Sequence, residues 1–164
     1  MRFLLCVAGG FALAGLYHSQ ASATPAQDCK KPVYLTFDTG HMAVAPVIAD
    51  ILARQKVVVT FFAANEKTKE GDGSLGEHWG GWWRERAKEG HEFAPHTFNH
   101  VYWVADAGKD AFRVKPSAGS RQGETYILDR NGYCEELSQS SRRLHMLTGK
   151  SPLPLFRAPG GRLS

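Results

Sequence analysis

The fold is decided by residues 33–62, VYLTFDTGHMAVAPVIADILARQKVVVTFF. Val33–Phe37 is β-branched and aromatic and predicts a buried strand, and Val57–Phe62 predicts a second one. Between them, apolar residues recur at helical spacing from Val44 to Leu52. A strand, a helix and a strand in such close succession predict a βαβ unit, and hence a parallel sheet in an α/β fold.

The later segments are predicted from their composition and periodicity. In chain order they are a Gly-rich loop (65–81), a helix (82–89), a strand (91–94), a long polar loop (101–131), a helix (133–147) and a strand (153–156). The last helix has the clearest signature, because its apolar stripe ends at Gly149, a typical C-terminal residue. The stripe consists of Tyr133, Leu137, Leu144 and Leu147.

Composition excludes several classes of protein. The chain has 164 residues, of which 43% are hydrophobic and 22% charged, and this excludes collagen, a coiled coil and a wholly disordered chain. The formal net charge of +4 is spread along the chain rather than gathered in a block. With no nucleic-acid-binding motif beside it, this charge predicts no nucleic-acid partner.

The N-terminal segment predicts export. Arg2 precedes an apolar run, 3–16, and Ala21-Ser22-Ala23 is a small-x-small cleavage site, so we expect a signal peptide (1–23) that is cut after Ala23. The run is shorter than the ~20 apolar residues of a membrane span, so no stable membrane anchor is expected. Residues 24–32 would be a leader to a domain at 33–164, in the periplasm or outside the cell.

Export would place Cys29 and Cys134 in a compartment where disulfides persist. A Cys29–Cys134 disulfide and two unpaired thiols are both compatible with the sequence.

Three short segments each begin where a predicted strand ends, which is the edge where active-site loops gather in parallel α/β folds. Asp38 could be a base or a ligand, or could cap the next helix. His96 and His100, four residues apart, could reach one metal ion from one side of a helical turn, or could be solvated or core histidines. Arg157 could pair with Asp38 and keep it ionised, or could lie in a surface turn.

Taken together, these segments resemble the motifs of the polysaccharide deacetylases, the NodB-type carbohydrate esterases. Thr36–Gly40 (TFDTG) looks like the family's Thr-Phe-Asp-Asp-Gly motif, and His96–His100 (HTFNH) is similar to its His-Ser/Thr-x-x-His motif. Arg157–Gly161 (RAPGG) resembles Arg-x-Pro-x-Gly. The likeness runs from about Val33 to Gly161.

The resemblance implies a fold, an activity and a role for each matching residue. It implies the front half of a distorted (β/α) barrel that removes N-acetyl groups from a chitin-like or peptidoglycan-like polymer by metal-activated water. Asp38 would be the general base, His96 and His100 would bind a divalent metal, most often zinc in this family, and Arg157 would hold Asp38.

The sequence departs from the family pattern at two places. Thr39 replaces the aspartate that is the third metal ligand, and His41 and Asp38 are the nearest candidates to substitute for it. The family's later motifs, including the Leu-x-His of the catalytic acid, would lie beyond Ser164, and His145 is on a predicted helix and does not replace that histidine. We therefore expect the C-terminal strands of the barrel to be missing. The alternatives are a non-catalytic glycan-binding protein and a truncated deacetylase fragment.

Aromatic side chains cluster in the two long loops and could stack on sugar rings or pack against the barrel. They are Trp79, Trp82, Trp83, Tyr102 and Trp103. We take Tyr102, Trp103 and Pro159 as candidate substrate-binding residues.

Overall fold

A computed structural model describes residues 31–162 of the protein. The proposed signal peptide and Cys29 lie outside the described residues, so the disulfide stays a prediction, and Cys134 is exposed. The elements are β1 (Thr36–Asp38), α1 (Ala45–Gln55), β2 (Thr60–Ala63), α2 (Gly80–Lys88), β3 (Glu92–Pro95), β4 (Val101–Asp106), β5 (Ala111–Pro116), β6 (Tyr126–Asp129) and α3 (Arg130–Thr148), and a 3-10 turn (Pro159–Gly161) follows.

A three-stranded parallel sheet of order β1-β2-β3 forms the centre of the fold, as the βαβ pattern predicts. Phe37, Phe61 and Phe93 lie side by side in register across the three strands, with neighbouring ring centroids 6.0 and 6.3 Å apart. The fully buried Trp83 and Leu144 pack in the same core cluster. The register places the ends of β1, β2 and β3 at one edge, where the candidate residues follow.

The first two strands begin later than predicted. Val33 and Tyr34 are 92% and 83% exposed, and Val57 and Val58 also lie outside the strands. The prediction of buried strands from Val33 and from Val57 is therefore wrong at the start of each strand. β-Branched and aromatic residues indicate a strand, but the sequence does not show whether other side chains or strands bury them.

The prediction of a long loop at 101–131 is wrong, because this segment forms a second sheet. Strands β4, β5 and β6 pair antiparallel in that order. On β5, the half-buried Phe112 and the buried Val114 alternate with exposed Arg113 and Lys115. An alternation with a period of two indicates a strand. The prediction of a loop followed from the polar and glycine residues around this segment and did not take the alternation into account.

The predicted fourth strand at 153–156 is irregular chain that runs beside β3. The Leu153 amide donates to the Phe93 carbonyl (2.8 Å), and the Arg157 amide donates to the Pro95 carbonyl (3.3 Å). The two donors are four residues apart and their acceptors only two, so the segment does not keep strand register, and Pro95 has no N–H group to donate back. The segment still delivers Arg157 to the edge of the sheet.

Helix α3 matches its prediction closely. Tyr133, Leu144 and Leu147 are buried, and Gly149 ends the helix with a φ of 71°. Among residues 31–162, no helix is long and apolar enough to cross a membrane.

Candidate active site

Asp38, at the end of β1, is held by an arginine from the far end of the chain. Nη1 of Arg157 donates to Oδ1 of Asp38 at 2.5 Å, and Nη2 donates to the hydroxyl oxygen of Thr36 at 2.7 Å. The guanidinium also lies 4.2 Å from the ring centroid of Phe62. Two directed bonds and a stacking contact fix the arginine, and through it the direction in which the carboxylate points.

The two histidines lie in a turn that follows β3. The amide of His96 donates to the Ala63 carbonyl at 3.0 Å, which continues the pairing of β3 with β2. The sequence analysis predicts a helical turn here, and this prediction is wrong. Thr97 and His100 have left-handed backbones with φ of 58° and 49°. The two imidazole rings nevertheless come together, with centroids 4.9 Å apart, and Nε2 of His96 lies 3.8 Å from Oδ2 of Asp38.

Each histidine is oriented through its Nδ1 atom. Nδ1 of His96 lies 2.8 Å from the carbonyl oxygen of Arg157, which can only accept, so this nitrogen donates. Nδ1 of His100 lies 2.5 Å from the hydroxyl oxygen of Ser117, which donates to the His100 carbonyl (3.5 Å) and so accepts from this nitrogen. With Nδ1 used as donor, Nε2 of each ring remains as the nitrogen that can bind a metal ion.

Burial keeps both imidazoles neutral. It lowers the pKa of His96, against the carbonyl of Arg157 and the carboxylate of Asp38, which both raise it. Burial also lowers the pKa of His100 to about 4, and His96 adds to that shift. Neutral imidazole is the form that coordinates metal ions.

Helix α3 and a threonine hold the histidine turn in its left-handed conformation. The Glu136 carboxylate accepts from the amide of Asn99 (2.8 Å) and from its Nδ2 (2.7 Å), and the Glu136 carbonyl accepts from the amide of Phe98 (2.9 Å). The Thr97 hydroxyl accepts from the amide of Val101 at 2.7 Å. These bonds replace the regular backbone pairing that the turn lacks.

Thr39 and Glu66 lie beside the histidines. The hydroxyl of Thr39 accepts from the amide of Ala64 (2.8 Å) and lies 3.2 Å from its carbonyl, so it is occupied by backbone. Oε1 of Glu66 lies 3.9 Å from Nδ1 of His100, and Oε2 is buried with no hydrogen-bond partner. Burial raises the pKa of Glu66, Thr39 and His41 oppose the shift, and Asp38 adds to it.

The other candidate residues surround this set at varying exposure. Tyr102 is 38% exposed, and its ring meets the ring of His100 with centroids 4.9 Å apart. Trp103 is half-buried against Phe112 with centroids 4.4 Å apart, and Pro159 is fully buried. His41 is exposed, and its Nδ1 accepts from the amide of Ala43.

The loop aromatics mostly pack against the core. Trp83 is fully buried, and Trp79 and Trp82 are partly buried against the same core cluster. A cavity of about 210 Å³ opens beside Asp38, with Thr39, His41, Phe61 and Trp82 in its lining.

The donor set suits a divalent metal such as zinc, although it is not already in a ligating arrangement. Two imidazole nitrogens and a nearby carboxylate are the atoms that Zn²⁺ prefers, and the unpartnered Glu66 oxygen lies next to them. Within residues 31–162, no three His, Cys, Asp or Glu side chains are positioned to hold an ion. Binding would therefore require side-chain movement.

Three residues of this site are not predicted by the sequence. Glu66, Ser117 and Glu136 act through contacts that the motifs do not include. The position of Glu66 just after the second predicted strand was a usable signal, since ligands gather at strand ends. No spacing in the sequence indicates that Ser117 or Glu136 reaches the histidine turn.

Known structures share this fold at low sequence identity. One is the catalytic domain of a peptidoglycan N-acetylglucosamine deacetylase from Eubacterium rectale, at 23% identity and a TM-score of 0.51, over 78% of this chain and 44% of that one. Another is a family 4 acetyl xylan esterase from Clostridium thermocellum in complex with a cobalt ion, at 16% identity and a TM-score of 0.56, over 80% and 50%. A third is a mutant of a family 4 pseudoenzyme with restored enzymatic activity, at 19% identity and a TM-score of 0.55, over 84% and 40%.

The chain thus spans about half the length of the structures it resembles, or less. No curated protein matches it at a significant level. The sequence model of the polysaccharide deacetylases, by contrast, matches residues 26–164, nearly the whole of the chain. The Asp38–Arg157 pair and the two histidines lie within this matched range. The protein therefore belongs to the polysaccharide deacetylase family.

Proposed function

We propose that this protein is an exported, metal-dependent hydrolase that removes N-acetyl groups from an amino-sugar polymer. The observation that supports it best is the convergence of Asp38, Arg157, His96 and His100, which come from three separate segments of the chain. If Asp38 and Arg157 formed only a surface ion pair and the histidines were only core residues, nothing would require all four to lie at one edge of the sheet. The deacetylase from Eubacterium rectale suggests peptidoglycan as one candidate polymer.

Each residue has a role that its contacts support. Asp38 accepts a proton from the attacking water, and the Arg157 guanidinium holds the carboxylate in position. Nε2 of His96 and Nε2 of His100 would hold the metal, with Nδ1 of each ring tied to Arg157 and Ser117. A bound zinc would lower the pKa of that water and polarise the acetyl carbonyl.

The exposed ring of Tyr102 offers a surface for a sugar at the rim of the site. Trp103 contributes less, because its ring is packed against Phe112. The N-terminal signal pattern supports export to a compartment where envelope polymers occur.

Acetate release and metal content test the proposal together. Purified protein is incubated with N-acetylated chitooligosaccharides, with peptidoglycan and with acetylated xylan, and zinc is measured in the same sample. We expect about one zinc per chain, its loss in His96→Ala, and acetate from at least one N-acetylated polymer. Acetate from xylan alone would redirect the proposal to ester hydrolysis. If the sample contains no zinc and releases no acetate, the proposal is contradicted.

A second candidate is a glycan-binding protein without turnover, and Thr39 is the observation that favours it. Where the family motif has a carboxylate, this chain has a hydroxyl bonded to the backbone of Ala64. One of the similar structures is a mutant of a pseudoenzyme, which supports the possibility of this fold without turnover. In this case the polymer would bind equally well to wild type and to Asp38→Asn, and neither form would release acetate.

A further inference from the structure

The residue that should be the third ligand of the proposed metal site cannot serve as one. The hydroxyl of Thr39 accepts from the amide of Ala64 and donates to its carbonyl, so both of its hydrogen-bonding functions are used by backbone. A neutral hydroxyl is also a weak ligand for zinc beside imidazole and carboxylate. The site therefore lacks one anionic donor at this position.

Glu66 has a carboxylate oxygen available beside His100. Its Oε2 is buried and makes no hydrogen bond, although buried carboxylate oxygens almost always have a partner. Its Oε1 lies 3.9 Å from Nδ1 of His100, too far for a hydrogen bond. Among the described residues, no arginine or lysine is paired with this carboxylate. A buried, ionised carboxylate without a partner is a costly arrangement unless a proton or a cation binds there.

The backbone around Glu66 is fixed against the histidine turn. The amide of Glu66 donates to the hydroxyl of Ser74 (3.0 Å), and its carbonyl accepts from the amide of Ser74 (2.8 Å). One residue earlier, the amide of Asn65 donates to the carbonyl of Phe98 (2.7 Å), inside the turn that contains both histidines. The position of the Glu66 backbone is thus set, and only its side-chain torsions remain to bring an oxygen towards Nε2 of the rings.

We propose that Glu66 supplies the anionic metal ligand that Thr39 does not, so that the site binds a divalent cation through His96, His100 and Glu66. The inference rests on the proposed function, because it concerns the same site. It assigns a ligand from the end of β2, one strand away from the position where the family motif has its aspartate.

Zinc affinity of the purified full chain tests the assignment, by competition with a chromogenic chelator. Glu66→Gln keeps the shape of the side chain and removes its charge, so we expect zinc to bind about 100-fold more weakly or worse, beyond the 10–100-fold typical of residues that only orient a ligand. The matched control is Glu70→Gln, an exposed carboxylate in the same loop, which should leave the affinity unchanged. Equal affinity in wild type and Glu66→Gln overturns the proposal.

A rescue variant separates ligation from a structural role. Adding Thr39→Asp to Glu66→Gln restores a carboxylate on the neighbouring strand, and we expect it to recover most of the zinc affinity. Cobalt substitution gives a second measurement, because the absorption bands of bound Co²⁺ report the number and type of ligands. A folded double variant that binds zinc no better than Glu66→Gln would assign Glu66 to the fold and overturn the ligand proposal.

His96→Ala distinguishes the failure of this inference from the failure of the proposed function. If His96→Ala abolishes zinc binding and Glu66→Gln does not weaken it, the metal site stands and Glu66 is not part of it. If wild type binds no zinc, or His96→Ala binds it as well as wild type does, the metal site itself and both proposals are overturned.

Discussion

Arg157 positions the carboxylate of the candidate base, Asp38. Its guanidinium bonds Asp38 and Thr36 at once and stacks on Phe62. A lysine at this position would keep the charge but, as a compact ammonium, would lose the planar fork that makes both bonds. The arginine is therefore a positioning residue whose importance lies in geometry as much as in charge.

Arg157→Lys should impair turnover far more than stability. We expect kcat to fall about 100-fold, because a catalytic group displaced by about 1 Å costs this much. The free energy of unfolding should fall by about 1 kcal/mol at most, since the side chains of Arg157 and Asp38 are 35% and 40% exposed and solvent screens the pair. Acetate release and thermal unfolding measure the two effects.

Arg142→Lys is the matched control for that substitution. Arg142 pairs with Glu135 on the exposed face of α3, so the exchange should change neither quantity. Full activity in Arg157→Lys would show that Asp38 needs only a nearby positive charge.

At the scale of elements, α3 fixes the histidine turn through Glu136. This carboxylate takes two hydrogen bonds from Asn99, and the turn has left-handed residues that need such support. Glu136→Gln leaves an amide NH₂ group facing an N–H donor, so we expect a loss of about 1–3 kcal/mol in the free energy of unfolding. We also expect weaker zinc binding, because the turn orients His96 and His100.

The neighbouring Glu135 provides a control on the same helix. Its carboxylate is exposed and pairs with the exposed Arg142, so Glu135→Gln should shift stability by no more than about 0.5 kcal/mol. Denaturant unfolding of the three proteins gives the comparison. Equal stability of Glu136→Gln and Glu135→Gln would contradict the role assigned to α3.

The pairing of β2 with β3 contains a pH-dependent contact at His91. The amide of Val59 donates to Nδ1 of His91 at 3.1 Å, which requires that nitrogen to be unprotonated. Burial lowers the pKa of His91 below its ordinary value of 6.5, although Glu89 raises it in part. As the pH falls below about 6.5, the unfolded chain binds a proton that the folded chain does not, so stability decreases.

His91→Gln should reduce this pH dependence. We expect Tm of the wild type to fall between pH 7.5 and 5.5, and to fall less in the variant, which has no imidazole to protonate. Thermal unfolding at both values provides the measurement. An equal fall in both proteins would show that other groups account for the acid sensitivity.

The sequence predicts the elements of the parallel sheet because their signals are local. The apolar spacing of α1 and the stripe of α3 each lie within one segment, and Gly149 marks a helix end by itself. The antiparallel sheet was missed because its apolar residues alternate one at a time among charged ones. The segment 153–156 is apolar like a strand, but its register against β3, four residues against two, is not visible in its hydropathy.

The same distinction holds for the candidate site. Asp38, His96, His100 and Arg157 were predicted because they lie in motifs, and the structure brings them together. Glu66, Ser117 and Glu136 reach the histidines from other segments through side-chain contacts. Such contacts depend on the path of the whole chain, and no residue spacing in the sequence indicates them.

At the scale of the whole molecule, the described chain leaves one edge of its parallel sheet uncovered. Strand β1 pairs only with β2, and Val33, Tyr34 and Leu35 before it are exposed. Unpaired edges with apolar side chains tend to associate with other chains. We expect the purified protein to self-associate as its concentration rises, and Leu35→Lys to reduce the effect in light scattering.

The control for the edge is an apolar residue elsewhere on the surface. Met146 is 71% exposed on α3, and Met146→Lys adds the same charge at a position away from the sheet. If Met146→Lys suppresses association as strongly as Leu35→Lys does, net charge rather than the open edge explains the behaviour.

The bond between Arg157 and Asp38 spans 119 positions of the sequence, and the bond between Arg157 and Thr36 spans 121. Contacts this distant along the chain form late and slowly during folding, because a large loop must close before they contribute free energy. During refolding from denaturant, helix signal should therefore return before the site is complete. We therefore expect a partly folded chain to lack the contacts of Arg157 with Asp38 and Thr36 even when its helices have formed.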